Sequence, residues 1–220
     1  MIKNALIIGA TGLVGKELTA LLIRTDYYNS LHIVGRRPYT FEHPKIRSHI
    51  IDFDRMETFA AEALIHDVYI CLGTTMKRAG SKETFRKVDH DYVLAVAQWA
   101  GKHNVEKLAC ISSMGANPHS SNFYLRTKGE VENDLAGIKL PRLIFLRPSL
   151  LLGKREEFRF AEKLSSILMS PMIPLMRGPL KKYIPVKASQ VAKAMFHLTL
   201  NATQPVQIVE NLDIVNLTIY

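Results

Sequence analysis

The amino-acid sequence predicts an α/β fold in which a doubly wound parallel sheet is covered by helices on both faces. Short, mostly apolar runs bounded by turn residues alternate along the chain with segments whose apolar residues recur every three or four positions. That alternation is typical of buried parallel strands joined by helices. The chain has 220 residues, 47% of them hydrophobic and 22% charged, which suits one globular domain with a full core. Residues 1–220 are therefore predicted to form a single domain.

Strands are predicted where a run of four to six residues lies between turns or helical segments. In chain order these runs are Ala5–Ile8, Leu31–Val34, Ile46–Ile51, Val68–Leu72, Leu108–Ile111, Leu143–Leu146 and Val206–Val209.

Helices are predicted where apolar residues follow the helical period. In the longest one, Phe85, Val88, Tyr92 and Val96 recur at intervals of three and four. The predicted helices are Leu13–Ile23, Glu57–Leu64, Glu83–Ala100, Tyr124–Leu135, Glu156–Met169 and Ala188–Leu200.

The segment from residue 150 to residue 186 is predicted to be a small, loop-rich extension that binds the substrate. Four prolines break it repeatedly, namely Pro171, Pro174, Pro179 and Pro185. Its apolar part, "LSSILMSPMIPLM" at residues 164–176, is either a helix core with a packed loop or an adaptable wall of a pocket.

The formal net charge of +9 and the pI of about 9.6 indicate a polyanionic partner or an anionic ligand. The basic residues are scattered in short pairs and no nucleic-acid-binding motif is present, so a bound anionic cofactor is favoured over nucleic acid.

No apolar stretch approaches the roughly 20 residues of a membrane helix, and no membrane contact is expected. Two isolated cysteines, Cys71 and Cys110, indicate reduced thiols and no metal site. A cytoplasmic location is therefore expected. A protein partner is possible, and the oligomeric state cannot be predicted.

A glycine-rich loop, "GATGLVG" at residues 9–15, joins the first strand to the first helix. The spacing of Gly9, Gly12 and Gly15 is typical of a turn that lets the backbone approach a pyrophosphate. Amide groups at the start of the following helix would face that anion. The whole loop is predicted to bind a dinucleotide, including its residues Ala10, Thr11, Leu13 and Val14.

The second strand ends in "GRRP", which indicates which dinucleotide is bound. Arg36 and Arg37 stand where a binder of NAD carries a carboxylate, and a guanidinium group matches a 2′-phosphate. NADP is therefore the predicted cofactor, with NADPH favoured over NADH. Asp52, or alternatively Asp54, would accept a hydrogen bond from the adenine amino group, and the backbone of residues 72–74 (Leu72, Gly73 and Thr74) would pass close to the cofactor.

Tyr124 and Lys128 are four residues apart on the predicted fourth helix and share its inner face. The polar residues Glu130, Glu132 and Asn133 are expected elsewhere around that helix. The strand just before it ends with Ser112 and Ser113 at the carboxyl edge of the sheet, where ligands bind in open α/β folds. These side chains are therefore expected to converge beside the cofactor.

The chain resembles the atypical short-chain dehydrogenases/reductases and is similar to their Tat-interacting-protein oxidoreductase-like branch. The segments that carry the resemblance are "GATGLVG", "CLGTTMKRAGSKETFRKVDHDYVL", "SSMGA", "SSNFYLRTKGEVE" and "LRPSLLLGKRE". The resemblance implies a Rossmann-type fold, NADP(H) binding and a catalytic set of Ser113, Tyr124 and Lys128. Two positions depart from the family pattern: Asp89 replaces a common asparagine, which puts a proton relay there in doubt, and Gln190 replaces a common aspartate.

The implied activity is hydride transfer to or from a small carbonyl or quinone substrate. Lys128, as a cation, would hold the nicotinamide ribose and lower the pKa of Tyr124. Tyr124 would then donate a proton to the substrate oxygen, which Ser113 would hold in place. An alternative is a non-catalytic NADP(H)-sensing protein that binds a regulatory partner. A sugar-nucleotide epimerase is less favoured because only about 70 residues follow Ser149, few for a substrate domain. Direct nucleic-acid binding ranks last.

Overall fold

The computed structural model describes residues 3–153 and 178–218. It contains nine strands in this range: β1 (Lys3–Ile8), β2 (Tyr28–Gly35), β3 (Ile46–Ile50), β4 (Asp67–Ile70), β5 (Lys107–Ile111), β6 (Arg142–Arg147), β7 (Leu151–Leu152), β8 (Val186–Lys187) and β9 (Val206–Glu210). Seven of them form one sheet in the order β3-β2-β1-β4-β5-β6-β9, while β7 and β8 pair separately. Every pairing in the large sheet is parallel, which confirms the predicted fold class.

The strand order reverses between β1 and β4. The chain first moves outward from β1 to β2 and β3, then returns to the other side of β1 and continues outward through β4, β5, β6 and β9. At such a switch point the loops after the two central strands separate and leave a crevice at the carboxyl edge of the sheet. The loops after β1 and β4 therefore border the place where a ligand is expected.

The helices of the described residues are α1 (Leu13–Ile23), α2 (Met76–Ala79), α3 (Lys82–Arg86), α4 (Tyr92–Lys102), α5 (Phe123–Ala136), α6 (Ala188–Leu200) and α7 (Asn211–Asn216). Two 3₁₀ segments cover Phe53–Thr58 and Gly178–Tyr183, and a π-helical segment, Lys87–Asp91, joins α3 to α4. None of the described helices is long and apolar enough to cross a membrane.

Alternating strand residues bury two separate hydrophobic cores, one on each face of the sheet. On β1, Leu6 and Ile8 pack in the core under α4 and α5, whereas Ala5 and Ile7 pack in the core under α1 and α6. This period of two is what a strand buried on both faces requires. Helices therefore cover both faces, as predicted.

All seven predicted strands are confirmed, and the bounds of α1 and α6 agree with the prediction at both ends. The predicted helix Glu57–Leu64 is wrong, because the structure has the 3₁₀ segment Phe53–Thr58 there. Phe53, Met56 and Phe59 are buried at intervals of three, and a 3₁₀ helix has three residues per turn. Packing against the core therefore overrides local helix propensity in this segment.

The predicted helix Glu83–Ala100 is present, but the π-helical segment interrupts its α-helical period. The short helices α2 and α7 were not predicted. The predicted helix Glu156–Met169 and the apolar segment 164–176, with Pro171 and Pro174, lie outside the described residues. The assignment of residues 150–186 as a substrate-binding extension stays a prediction.

Candidate active site

The glycine loop after β1 has a backbone that only glycine fits at two positions. Gly9 has a φ of +80°, and a Cβ there would lie 2.6 Å from the carbonyl oxygen of Cys71 in the loop after β4. A Cβ on Gly15 would overlap the carbonyl oxygen of Gly9, so glycine at that position lets α1 approach the end of β1. These contacts explain why two of the three glycines in "GATGLVG" are required.

The first turn of α1 is suited to an anion. Its N-cap is Gly12, which has no side chain to accept hydrogen bonds from the first amide groups of the helix. The Gly12 amide itself donates to the Gly9 carbonyl oxygen at 2.9 Å, which closes the turn. Between Gly9 and Gly12, Ala10 is buried and Thr11 is exposed, and in the first turn of α1 Leu13 is partly buried and Val14 is buried. The open helix terminus at the switch point fits the pyrophosphate of a dinucleotide.

Two arginines follow the end of β2, where an adenosine ribose is expected. Arg36 and Arg37 are both exposed, and neither forms an ion pair with any described residue. Asp52 is exposed beyond the end of β3, but its Oδ1 already accepts a hydrogen bond from the backbone amide of Asp54. Asp54 in turn forms an ion pair with Lys87 at 2.6 Å. Both predicted adenine-contacting carboxylates are therefore engaged within the protein.

Tyr124 and Lys128 lie on successive turns of α5, and Lys128 is buried. The Tyr124 ring is partly exposed and packs against Phe85 with ring centroids 5.6 Å apart. Lys128 does not have a free ammonium group, because its Nζ lies 2.7 Å from Oδ1 of the buried Asp89. Burial lowers the pKa of Lys128, whereas the Asp89 carboxylate and Tyr124 raise it, and its pKa ends above the usual lysine value.

The loop after β4 contacts the ion pair of Asp89 and Lys128. The backbone amide of Thr74 donates to Oδ2 of Asp89 at 2.7 Å, and a Cβ on Gly73 would lie 3.3 Å from Oδ1 of Asp89 and 3.9 Å from Nζ of Lys128. Leu72 is partly buried just before this turn. The structure therefore brings the predicted residues Gly73, Thr74 and Lys128 together around Asp89.

Ser113 lies on the loop after β5 and is held beside α5 by backbone packing. Among the described residues, its Oγ makes one long contact, of 3.4 Å, with the carbonyl oxygen of Met114. The Asn117 amide donates to the Leu125 carbonyl oxygen at 3.1 Å, and a Cβ on Gly129 would overlap the backbone of Asn117. Gly129, which sequence reasoning did not single out, therefore lets the Ser113 loop lie against the helix that carries Tyr124.

Ser112 precedes this loop and has a buried Oγ without a hydrogen-bond partner among the described residues. A buried hydroxyl that lacks a partner is unfavourable. The Ser112 hydroxyl at the carboxyl end of β5 is therefore a buried polar group that no described residue satisfies.

The expectation that Glu132 points away from the inner face of α5 is wrong. Glu132 is buried, and its two carboxylate oxygens lie 3.0 Å and 2.5 Å from Nε and Nη2 of Arg147 at the end of β6. Arg147 also contacts Glu210 at 2.9 Å. The inner face of α5 therefore contains two ion pairs on successive turns, one through Lys128 and one through Glu132. Helical spacing alone did not predict this second partner.

Two relatives cover most of the chain. Protein HTATIP2 of Rattus norvegicus is 31% identical over a gapped alignment of 223 positions, which covers 92% of this chain and 92% of that protein. "Protein FMP52, mitochondrial" of Debaryomyces hansenii is 31% identical over 201 residues, which span 89% of this chain and 87% of that protein. The first match confirms the resemblance inferred from the sequence motifs.

The predicted cytoplasmic location is wrong by the same comparison. The FMP52 proteins of Meyerozyma guilliermondii and Saccharomyces cerevisiae, 37% and 30% identical, are also named as mitochondrial. The prediction was based on Cys71 and Cys110, which are indeed free in the structure. Free thiols indicate only that an environment keeps them reduced, so they do not identify the compartment.

Solved structures share the fold at low sequence identity. MoeE5 in complex with UDP-glucuronic acid and NAD superposes with a TM-score of 0.68 and 15% identity, over 93% of this chain and 75% of that chain. Human epimerase family protein SDR39U1 with NADPH superposes with a TM-score of 0.61 and 15% identity, over 94% of this chain and 74% of that chain.

The sequence pattern of one family, "NAD dependent epimerase/dehydratase family", matches residues 5–134. The matched range is more than half of the chain. It begins in β1, includes the glycine loop and the Asp89–Lys128 pair, and ends inside α5. The chain therefore belongs to the NAD dependent epimerase/dehydratase family, a family of NAD(P)-binding proteins with a Rossmann-type fold.

Proposed function

We propose that this protein is an NADP(H)-dependent oxidoreductase of the atypical short-chain dehydrogenase/reductase type, acting on a small carbonyl or quinone substrate. The observation that carries the proposal is the position of Tyr124 one helical turn from the buried cation Lys128, on a helix that packs against the loop after β4. A tyrosine next to a buried ammonium group is suited to donate and regain a proton.

The dinucleotide, when bound, supplies the hydride donor or acceptor. The amides at the start of α1 would hold its pyrophosphate, and Lys128 would donate a hydrogen bond to its nicotinamide ribose. Tyr124 gives its phenolic proton to the substrate carbonyl oxygen in reduction and takes a proton from the alcohol in oxidation. Ser113 donates a hydrogen bond to the same oxygen and thereby stabilises the negative charge that develops on it.

NADP is favoured over NAD because Arg36 and Arg37 are exposed at the end of β2 and have no acidic partner among the described residues. Two unpaired guanidinium groups suit a 2′-phosphate and leave no acceptor for ribose hydroxyls at these two positions. The protein SDR39U1, which shares the fold, has been solved with NADPH, whereas MoeE5 has been solved with NAD.

Sugar-nucleotide epimerisation is the less favoured activity within this family. MoeE5 is only 15% identical to this chain, so the likeness shows the fold alone and gives no support to a nucleotide-sugar substrate here. The FMP52 relatives favour a mitochondrial location for this protein as well, which fractionation of tagged protein would test.

The decisive variant for the proposed chemistry is Tyr124→Phe. It removes the proton donor but keeps the ring that packs on Phe85, so turnover of a carbonyl or quinone found by screening with NADPH should fall at least about 100-fold while NADPH affinity changes little. Tyr27→Phe is a matched control, because Tyr27 precedes β2 at the opposite edge of the sheet. Wild-type turnover by Tyr124→Phe would rule out its acid–base role. Tight NADPH binding without turnover of any substrate would favour the non-catalytic, cofactor-sensing alternative.

A further inference from the structure

The π-helical segment Lys87–Asp91 presents two consecutive side chains to α5. Asp89 contacts Lys128, and His90 contacts Asp134 with Nε2 and Oδ2 2.8 Å apart. Both Asp89 and His90 are buried. A π-helical turn contains one more residue than an α-helical turn, and such turns often occur at functional sites. Here the segment places a carboxylate directly against the proposed catalytic lysine.

The two oxygens of Asp89 serve two different elements. Oδ1 accepts from the ammonium group of Lys128 on α5 at 2.7 Å, and Oδ2 accepts from the amide of Thr74 in the loop after β4 at 2.7 Å. The side chains of Lys128 and Asp89 are 6% and 1% exposed. Because unpaired buried charges are strongly unfavourable, each of these groups keeps the other in place.

We propose that Asp89 is a positioning residue, whose carboxylate fixes Lys128 as a cation and ties the loop after β4 to α5. This inference rests on the proposed function, since it assigns a role to Asp89 in the same site. A carboxylate that accepts from both an ammonium group and an amide has no proton to donate. Position 89 therefore takes no part in proton transfer here, and its role is electrostatic and geometric.

The packing of Gly73 supports this role. The loop lies so close above the ion pair that a Cβ at this position would contact both charged groups. The position of this backbone, which is predicted to line the cofactor, therefore depends on the positions of the Asp89 and Lys128 side chains. Displacing either side chain would also move the loop.

The first test measures Lys128 in the protein without cofactor or substrate. The pKa of each lysine would be followed by NMR of isotope-labelled side chains, with Lys128 assigned by comparison with Lys128→Met. In Asp89→Asn the amide oxygen still accepts from Thr74, but the negative charge is gone and the burial remains. We expect the pKa of Lys128 to fall by at least about one unit. Asp91→Asn is the matched control, because Asp91 lies in the same π segment and contacts His90 instead.

The second test remains decisive if Asp89→Asn is poorly folded. Thermal unfolding midpoints would be compared for Asp89→Asn, Lys128→Met and the double variant. Each single variant leaves one buried group without its partner, so the double variant should be more stable than the sum of the two losses predicts. Strictly additive losses, or an unchanged lysine pKa in Asp89→Asn, would overturn the proposal.

A third measurement separates this inference from the proposed function. If a substrate is turned over, the basic limb of the pH profile of kcat/KM should move to lower pH in Asp89→Asn, and activity should return at pH values below that limb. A purely structural role of Asp89 would not cause this shift. If no substrate is turned over but the lysine pKa falls, the positioning role stands and the proposed function fails. Turnover with an unchanged lysine pKa would support the proposed function and overturn the positioning role.

Discussion

His32 and His49 form a stacked pair of imidazole rings on the neighbouring strands β2 and β3. Their ring centroids are 5.1 Å apart, and Nδ1 of His32 lies 3.0 Å from Nε2 of His49. One of these nitrogens must accept the hydrogen bond, so both rings cannot be protonated without losing it. Burial, followed by the charge of His49, lowers the pKa of His32 to about 4, and burial also lowers the pKa of His49.

This pair predicts a loss of stability on mild acidification. Because the folded-state pKa of His32 lies below its unfolded value of about 6.5, its contribution is complete above pH of about 6.5 and is lost as the pH falls towards 4. The loss in the free energy of unfolding is on the order of 3 kcal/mol, because a pKa difference of one between the folded and unfolded states corresponds to about 1.4 kcal/mol. Urea unfolding between pH 7 and pH 4 would measure it, with His32→Asn giving a flatter profile.

His119→Asn is the control for this prediction, because His119 is exposed on the loop after β5. It should leave the pH profile of the wild type unchanged. An equally steep profile in His32→Asn would mean that other groups cause the acid sensitivity.

The same scale explains which site residues could be predicted from the sequence. Gly9 and Gly15 follow from the spacing of a known loop, since their function is local to one strand and one helix. The partner of Lys128 could not be predicted, because it depends on how the π segment packs against α5. The only sequence signal at this position was that Asp89 replaces an asparagine that is common in the short-chain dehydrogenase/reductase superfamily.

At the scale of elements, α5 is held to the sheet by the ion pair of Glu132 with Arg147. The side chains of Glu132 and Arg147 are 7% and 19% exposed. Breaking a buried pair leaves an uncompensated charge and costs about 3 kcal/mol or more. In Glu132→Gln, Glu210 still pairs with Arg147, so the free energy of unfolding should fall by less than this, by about 2 kcal/mol, measured by urea denaturation at neutral pH.

Glu130 provides a matched control on the same helix. It also pairs with arginines, Arg86 and Arg126, but its side chain is 29% exposed and the arginines are more exposed still. Exposed pairs contribute about 1 kcal/mol or less, so Glu130→Gln should cost much less than Glu132→Gln. Equal losses in the two variants would show that burial does not distinguish these pairs.

Element types were predictable where packing repeats a regular period and not elsewhere. The helices α1 and α6 each bury one continuous stripe, which the sequence shows directly. The helix prediction for the segment after β3 failed because Phe53, Met56 and Phe59 are buried in the core at intervals of three. The Phe59 carbonyl oxygen also accepts a hydrogen bond from the indole of Trp99. These tertiary contacts have no local sequence signal.

For the whole molecule, the sheet order brings together segments that are distant in the sequence. The glycine loop follows β1, the Asp89 contact follows β4 and the Tyr124 helix follows β5, yet all border one carboxyl edge. The alternation of strands and helices was enough to predict this edge, because right-handed crossovers leave few other topologies. A dinucleotide that spans the edge would therefore stabilise the entire fold.

Cofactor binding should accordingly raise the unfolding temperature, and more so with NADPH than with NADH. A ligand at 100 times its dissociation constant stabilises a protein by about 2.7 kcal/mol. Replacing both Arg36 and Arg37 by alanine should weaken NADPH binding at least about tenfold and leave NADH binding nearly unchanged, because only NADPH carries the 2′-phosphate. Thermal-shift titration with each cofactor would measure both effects.

The control for this prediction removes the same charge elsewhere. Lys102, the last residue of α4, and Lys139, beyond the end of α5, are exposed away from the carboxyl edge, so replacing both by alanine lowers the net charge equally. If the two double variants weakened NADPH binding to the same extent, the preference would arise from the overall positive charge of the protein. A selective effect of the arginine pair would assign the preference to direct contact with the 2′-phosphate.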